Sequence, residues 1–185
     1  MNLIARAKKI LLEPKAEWPQ IATETATPQS IYAGYVVILA AIGPLAMLVR
    51  SMSIVGAVVQ YIIALAVTFL MALIVDTLAP TFGGEKNFVQ SLKLVAYSYT
   101  AAWVAGIFLL IPVLGGVIAL LAAIYTLYTF YLGVPLLKKC PQDKAVGYTI
   151  VVVICGILLG WVLAAFLLSM VIGGGTLGMG ALAIR

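Results

Sequence analysis

Histidine is absent from all 185 residues. That removes Ser/His and Cys/His catalysis and most zinc sites. Cysteine is scarce: Cys140 and Cys155 would stand about 20 Å apart along a helix, far beyond disulfide reach, so two free thiols are expected. Charge is scarce as well, at 9% of residues, against roughly 25% in a soluble domain. The acids are only Glu13, Glu17, Glu24, Asp76, Glu85 and Asp143, of which Asp76 and Glu85 alone could converge on one loop. Neither paired-carboxylate catalysis nor a hard-cation site has a seat here. The sequence therefore points to no metal, no cofactor and no enzyme. Phe82-Gly-Gly-Glu-Lys86 lacks phosphate-loop spacing and reads as a glycine turn. The first 30 residues lack the apolar core and cleavage site of a signal peptide, so the first long apolar run is expected to stay as an anchor.

What the chain has is grease: 64% hydrophobic residues and a mean hydropathy of +1.18. No soluble fold of this length hides so much apolar surface. A helical span needs roughly 20 apolar residues, and five are expected: Ile31–Val49, Ile54–Leu78, Leu92–Ile111, Val117–Leu137 and Ala145–Ile172. Pro/Gly or charged breaks separate them, and such short connections make neighbouring spans antiparallel. The predicted fold class is an all-α polytopic membrane protein. A cytoplasmic amphipathic helix and linker (1–30) precedes a five-helix membrane domain (31–172) and a flexible outer tail (173–185).

Charge asymmetry sets the expected orientation. With the N-terminus in the cytoplasm, inner segments hold Arg6, Lys8, Lys9, Lys15, Lys86, Lys93, Lys138, Lys139 and Lys144, and outer ones hold only Arg50 and Arg185. The net charge of +5 is thus mostly an inner-face property. It favours anionic headgroups over nucleic acid. Arg6, Lys8, Lys9, Lys138, Lys139, Asp143 and Lys144 are the candidate lipid- or partner-binding residues.

At the N-terminus, Leu3, Ile4, Ala7, Ile10 and Leu11 share one helical face, and Asn2, Arg6, Lys9 and Glu13 the other. This predicts a short interfacial helix ended by Pro14. The stretch Lys15–Ser30 reads as a linker, with Trp18 at the membrane interface.

An ionisable residue inside a span is a functional candidate. Asp76 is one, although it sits near a span end where Lys86 or Lys93 could pair with it. Tyr125, Tyr128 and Tyr131 recur every three residues in the fourth span, opposite Tyr97 and Tyr99 in the third. Such hydroxyls serve either interhelical hydrogen bonds or a ligand-lining seam. Asp76, Lys93, Tyr97 and Tyr128 form the alternative ion or solute site of a small oligomeric transporter. Gly156 and Gly160 make a GxxxG packing face in the fifth span, so a homo-oligomer stays open beside lipid and a protein partner.

The run Tyr131-Leu-Gly-Val-Pro135, Pro141-Gln-Asp-Lys-Ala145 and Gly147-Tyr-Thr149 resembles the signature of the Yip family, with a tyrosine-rich fourth span and a valine-rich fifth. The amphipathic start, Gly43-Pro44 and Phe82-Gly-Gly84 are similar to the family's motifs, the last to those of bacterial members. The first-span Gly-Pro lacks the acidic residue that precedes it in many eukaryotic members. Span three has Ala101 where many bacterial relatives have proline. The resemblance implies five spans with the N-terminus inside, a non-enzymatic class and, for a bacterial member, the plasma membrane. Eukaryotic Yip proteins are associated with Rab GTPases and vesicle traffic, a role that does not carry over to a bacterium.

Overall fold

In the computed structural model, residues 2–182 are described, with side chains to Phe166. Five helices are long and apolar enough to cross a membrane: Pro28–Ser51, Ile54–Phe82, Phe88–Leu110, Leu114–Lys138 and Gln142–Phe166, here spans one to five. Among the described residues there is no strand. Polar caps begin the spans where hydropathy places the breaks. The Ser53 hydroxyl accepts from the Gly56 N–H at 3.1 Å and the Asn87 side chain from the Gln90 N–H at 3.2 Å, filling donors that a helix start leaves open. Span one is irregular, with a π-helical turn at Tyr32–Val36 and a break at Ala41. It crosses span three closely at Gly43. A Cβ on Gly106 would lie 3.0 Å from the Gly43 Cα.

Span three is the hub. Every residue from Ser91 to Ser98 is buried. Span two faces it through Asp76, span one through a 2.6 Å hydrogen bond between the Tyr35 and Thr100 hydroxyls, and span four through Leu94 against Gly133.

The segment expected to be a linker is not one. Helix α1 (Leu3–Leu12) is followed directly by helix α2 (Pro14–Thr23). Pro14 ends α1, as expected, but also opens α2 at its first turn, where proline costs nothing because that N–H has no intrahelical partner. Pro14, Glu17, Trp18 and Ile21 are buried and recur at helical spacing along one face. Trp18 is accordingly not an interfacial anchor. It is fully buried, edge-on to Tyr97 at 6.5 Å, with its indole N–H on the Thr129 carbonyl at 3.0 Å. Burying that ring and satisfying its one donor on span four fixes the hairpin. The buried side of α1 is Arg6, Ala7 and Ile10, whereas Ile4 and Leu12 are exposed. The predicted division into an apolar and a polar face is therefore rotated, because Arg6 turns inward to carboxylates on and beside α2.

The chain divides into two compact units, Met1–Val152 and Val153–Arg185. In the second, the helix that runs Gln142–Leu182 exposes Ile157, Leu158, Trp161 and Val162, and nothing lies within 4 Å of a Cβ built on Gly160. The expected outer tail, 173–185, and Arg185 fall among residues whose side chains or backbone lie outside those described.

Candidate functional site

The lysine-rich end of the first unit is built from two turns. At the end of span two, Gly83 adopts φ 75° and its N–H caps the Pro80 carbonyl at 3.0 Å. Left-handed backbone there suits glycine. Gly84 lies against the end of span four: a Cβ on it would come 2.8 Å from the Lys138 carbonyl, which also accepts from the Glu85 N–H at 2.8 Å. Cys140 donates its S–H to the Phe82 carbonyl at 3.2 Å, and Phe82 stacks on Tyr148 at 5.1 Å. The charged turn between spans four and five is thus locked onto the glycine turn after span two. The Tyr148 hydroxyl also donates to the Val75 carbonyl.

Asp76 has a partner, though neither of the expected ones. Its Oδ1 lies 2.9 Å from Lys138 Nζ, and the same oxygen accepts from the Ser91 hydroxyl at 3.0 Å and the Asn87 N–H at 2.7 Å. Lys138 is completely buried and also reaches Ser91 Oγ at 2.7 Å and the Asn87 carbonyl at 3.2 Å. All three ammonium donors therefore find acceptors, which is what makes a buried ion tolerable. Lys93 goes elsewhere: its ammonium donates to the carbonyls of Ile21 at 2.9 Å and Glu24 at 2.5 Å. These are orphan acceptors at the C-terminus of α2, where a cation also opposes the helix dipole favourably.

Two residues expected on the binding face are internal. Lys138 is one and Arg6 is the other. Arg6 is 8% exposed and bonds to both Glu17 and Glu24, with its guanidinium 5.9 Å from the centre of the Tyr97 ring. Both lost the binding face for the same reason: a carboxylate on a neighbouring helix holds each of them. Lys8, Lys9, Lys139, Asp143 and Lys144 remain exposed, as do Lys15 and Lys86. Lys9 lies 3.7 Å from Glu17 and Lys139 2.8 Å from Glu85. The turn thiol of Cys140 is held above its ordinary range, first by burial and then by nearby Asp143, with Lys144 opposing.

Asp76, Lys93, Tyr97 and Tyr128 do not meet. Asp76 belongs to the Lys138 cluster and Lys93 to the end of α2. Tyr97 packs among Trp18, Tyr35 and Arg6, and Tyr128 is 42% exposed beside Tyr125. Of the span-four tyrosines, Tyr125 serves the hairpin, its hydroxyl donating to the Leu11 carbonyl at 2.7 Å. A polar cleft of about 890 Å³ opens where α1, α2 and span one meet, lined by Arg6, Lys9, Glu17, Glu24 and Tyr97 among others. Both cysteines are free thiols. Among the described residues no three His, Cys, Asp or Glu side chains gather as metal ligands.

No curated protein and no solved structure matches the chain. The family model described as Yip1 domain matches residues 8–164, a stretch that takes in the second half of α1, all of α2, all four turns and most of span five. With five membrane-crossing helices and that match, the chain is a multi-pass membrane protein and belongs to the Yip1 domain family.

Proposed function

We propose that this is a non-enzymatic membrane-organising protein of a bacterial plasma membrane, with its N-terminus in the cytoplasm, which binds anionic lipid or a protein partner through the lysine end. The observation that carries this reading is a division of labour among the cations. Arg6, Lys93 and Lys138 are consumed by internal carboxylates and carbonyls. Lys86, Lys139 and Lys144 are left exposed at the lysine end and Lys8, Lys9 and Lys15 on the α1–α2 hairpin that descends from it, and the internal three tie those segments together. A juxtamembrane cluster of that size attracts anionic headgroups at about 1 kcal/mol per lysine.

The test spares the buried lysine. Lys8, Lys9, Lys139 and Lys144 are replaced together by glutamine, and the protein is released from native-lipid nanodiscs into a mass spectrometer. Retained anionic lipid or a co-purified protein should be lost while thermal stability holds. Unchanged retention would refute the reading.

A further inference from the structure

Leu11 lies where the middle of a span should be. Its carbonyl accepts from Tyr125, and it shares an apolar groove with Phe108, Ile118 and Leu121. Tyr125 stands about 20 Å of helix from Lys138 and about 16 Å from Leu114, while half the hydrocarbon core is about 15 Å. The α1–α2 hairpin therefore descends from the lysine end almost to mid-depth.

Its tip is charged. Glu13 and Lys15, within a turn of Leu11, are exposed, as is Lys8. Yet Ile124, beside Tyr125 on span four, is 56% exposed, and span two presents exposed apolar side chains from Ile54 to Leu73. At one level the molecule thus offers hydrocarbon-seeking surface on two spans and ionised surface on the hairpin. A lysine stem can snorkel toward water, but a glutamate has no such reach. Ionised groups at that depth are stable only where water or headgroups come to them.

We propose that the bilayer is thinned beside α1–α2, with the headgroup layer of the N-terminal leaflet drawn in to about the level of Tyr125 and anionic phospholipid phosphates lying against Lys8 and Lys15. An acyl chain of such a lipid has the groove beside Leu11 to occupy. The choice of phospholipid rests on the lipid reading above; the thinning does not, since it follows from depth and charge alone.

Spin labels placed at Lys15→Cys and Ile124→Cys, in a Cys140→Ser/Cys155→Ser background, test the thinning in phosphatidylcholine–phosphatidylglycerol vesicles. The Lys15 label should collide several-fold more with a water-soluble nickel chelate, relative to oxygen, than the Ile124 label. The doubly labelled protein should give the short distance of a docked hairpin. Oxygen preference at both positions would overturn the proposal. So would a long distance, which means the hairpin has left its seat, or a Lys15 label shielded from both reagents, which means another protein surface covers it. Repeating the collision measurement in pure phosphatidylcholine separates the two claims. Nickel access that persists there leaves the thinning intact even if anionic lipid proves irrelevant.

Discussion

Asp76 and Lys138, 62 positions apart in the chain, meet at 2.9 Å with Ser91 bonded to both. The pair ties the ends of spans two and four to the start of span three. Removing Lys138 leaves the half-buried Asp76 carboxylate without its cation, and removing Asp76 leaves the ammonium buried without its anion. Lys138→Met is expected to lower stability in detergent by about 2–4 kcal/mol, toward the low end because water reaches part of Asp76. The double variant with Asp76→Leu should recover much of that loss in thermal unfolding. Lys139→Gln, which breaks a pair exposed on both sides, should change stability by no more than about 0.5 kcal/mol.

Gly133 and Trp18 form a lock that a methyl group can jam. A Cβ at Gly133 would lie 2.5 Å from Leu94 Cδ1 and 2.9 Å from Trp18 Cε2. Gly133→Ala should cost about 1–3 kcal/mol through overpacking and release α2, seen as protease cleavage before Pro28. Trp18→Phe removes both ring bulk and the bond to Thr129. The two changes should be clearly less than additive in a double-mutant cycle.

Lys93 caps α2 from another chain segment. Lys93→Met should free the last turn of α2, raising amide exchange in residues 21–24 while the spans stay protected. The loss should be about 1.5–3 kcal/mol, the range for hydrogen bonds to a charged group.

The Cys140 thiol is buried and raised above its usual range. A raised thiol holds less thiolate at any given pH, and thiolate is the reactive form. In a Cys155→Ser background, alkylation of Cys140 should be slow near neutrality and should keep accelerating at pH values where an ordinary thiol has levelled off. Asp143→Asn removes a negative neighbour, so it should speed labelling at fixed pH, and Lys144→Gln should slow it.

Hydropathy and breaker residues suffice to locate the spans, since lipid demands long apolar helices whatever their neighbours. Pairing is less legible. The lysines nearest Asp76 along the chain are Lys86 and Lys93, whereas its partner comes from a span that only tertiary packing brings beside it. The hairpin is hard to read because the prolines and polar residues of Lys15–Ser30 have the composition of a linker. The signal was present in Pro14, Glu17, Trp18 and Ile21, a helical stripe that two prolines disguised. Arg6 reads as solvent-facing for the same reason, because its partners lie in that disguised helix and its cap.

The seat of the hairpin sets an order of assembly. Trp18 leaves the ribosome long before Thr129 and Gly133, the residues that receive it. During synthesis α1–α2 must wait, exposed at the membrane surface, until the third and fourth spans are inserted. It closes the first unit from the wrong end of the chain, last in place though first made. A bulky fusion at the N-terminus would therefore act on the final step of membrane-domain assembly, at a distance from every span it disturbs.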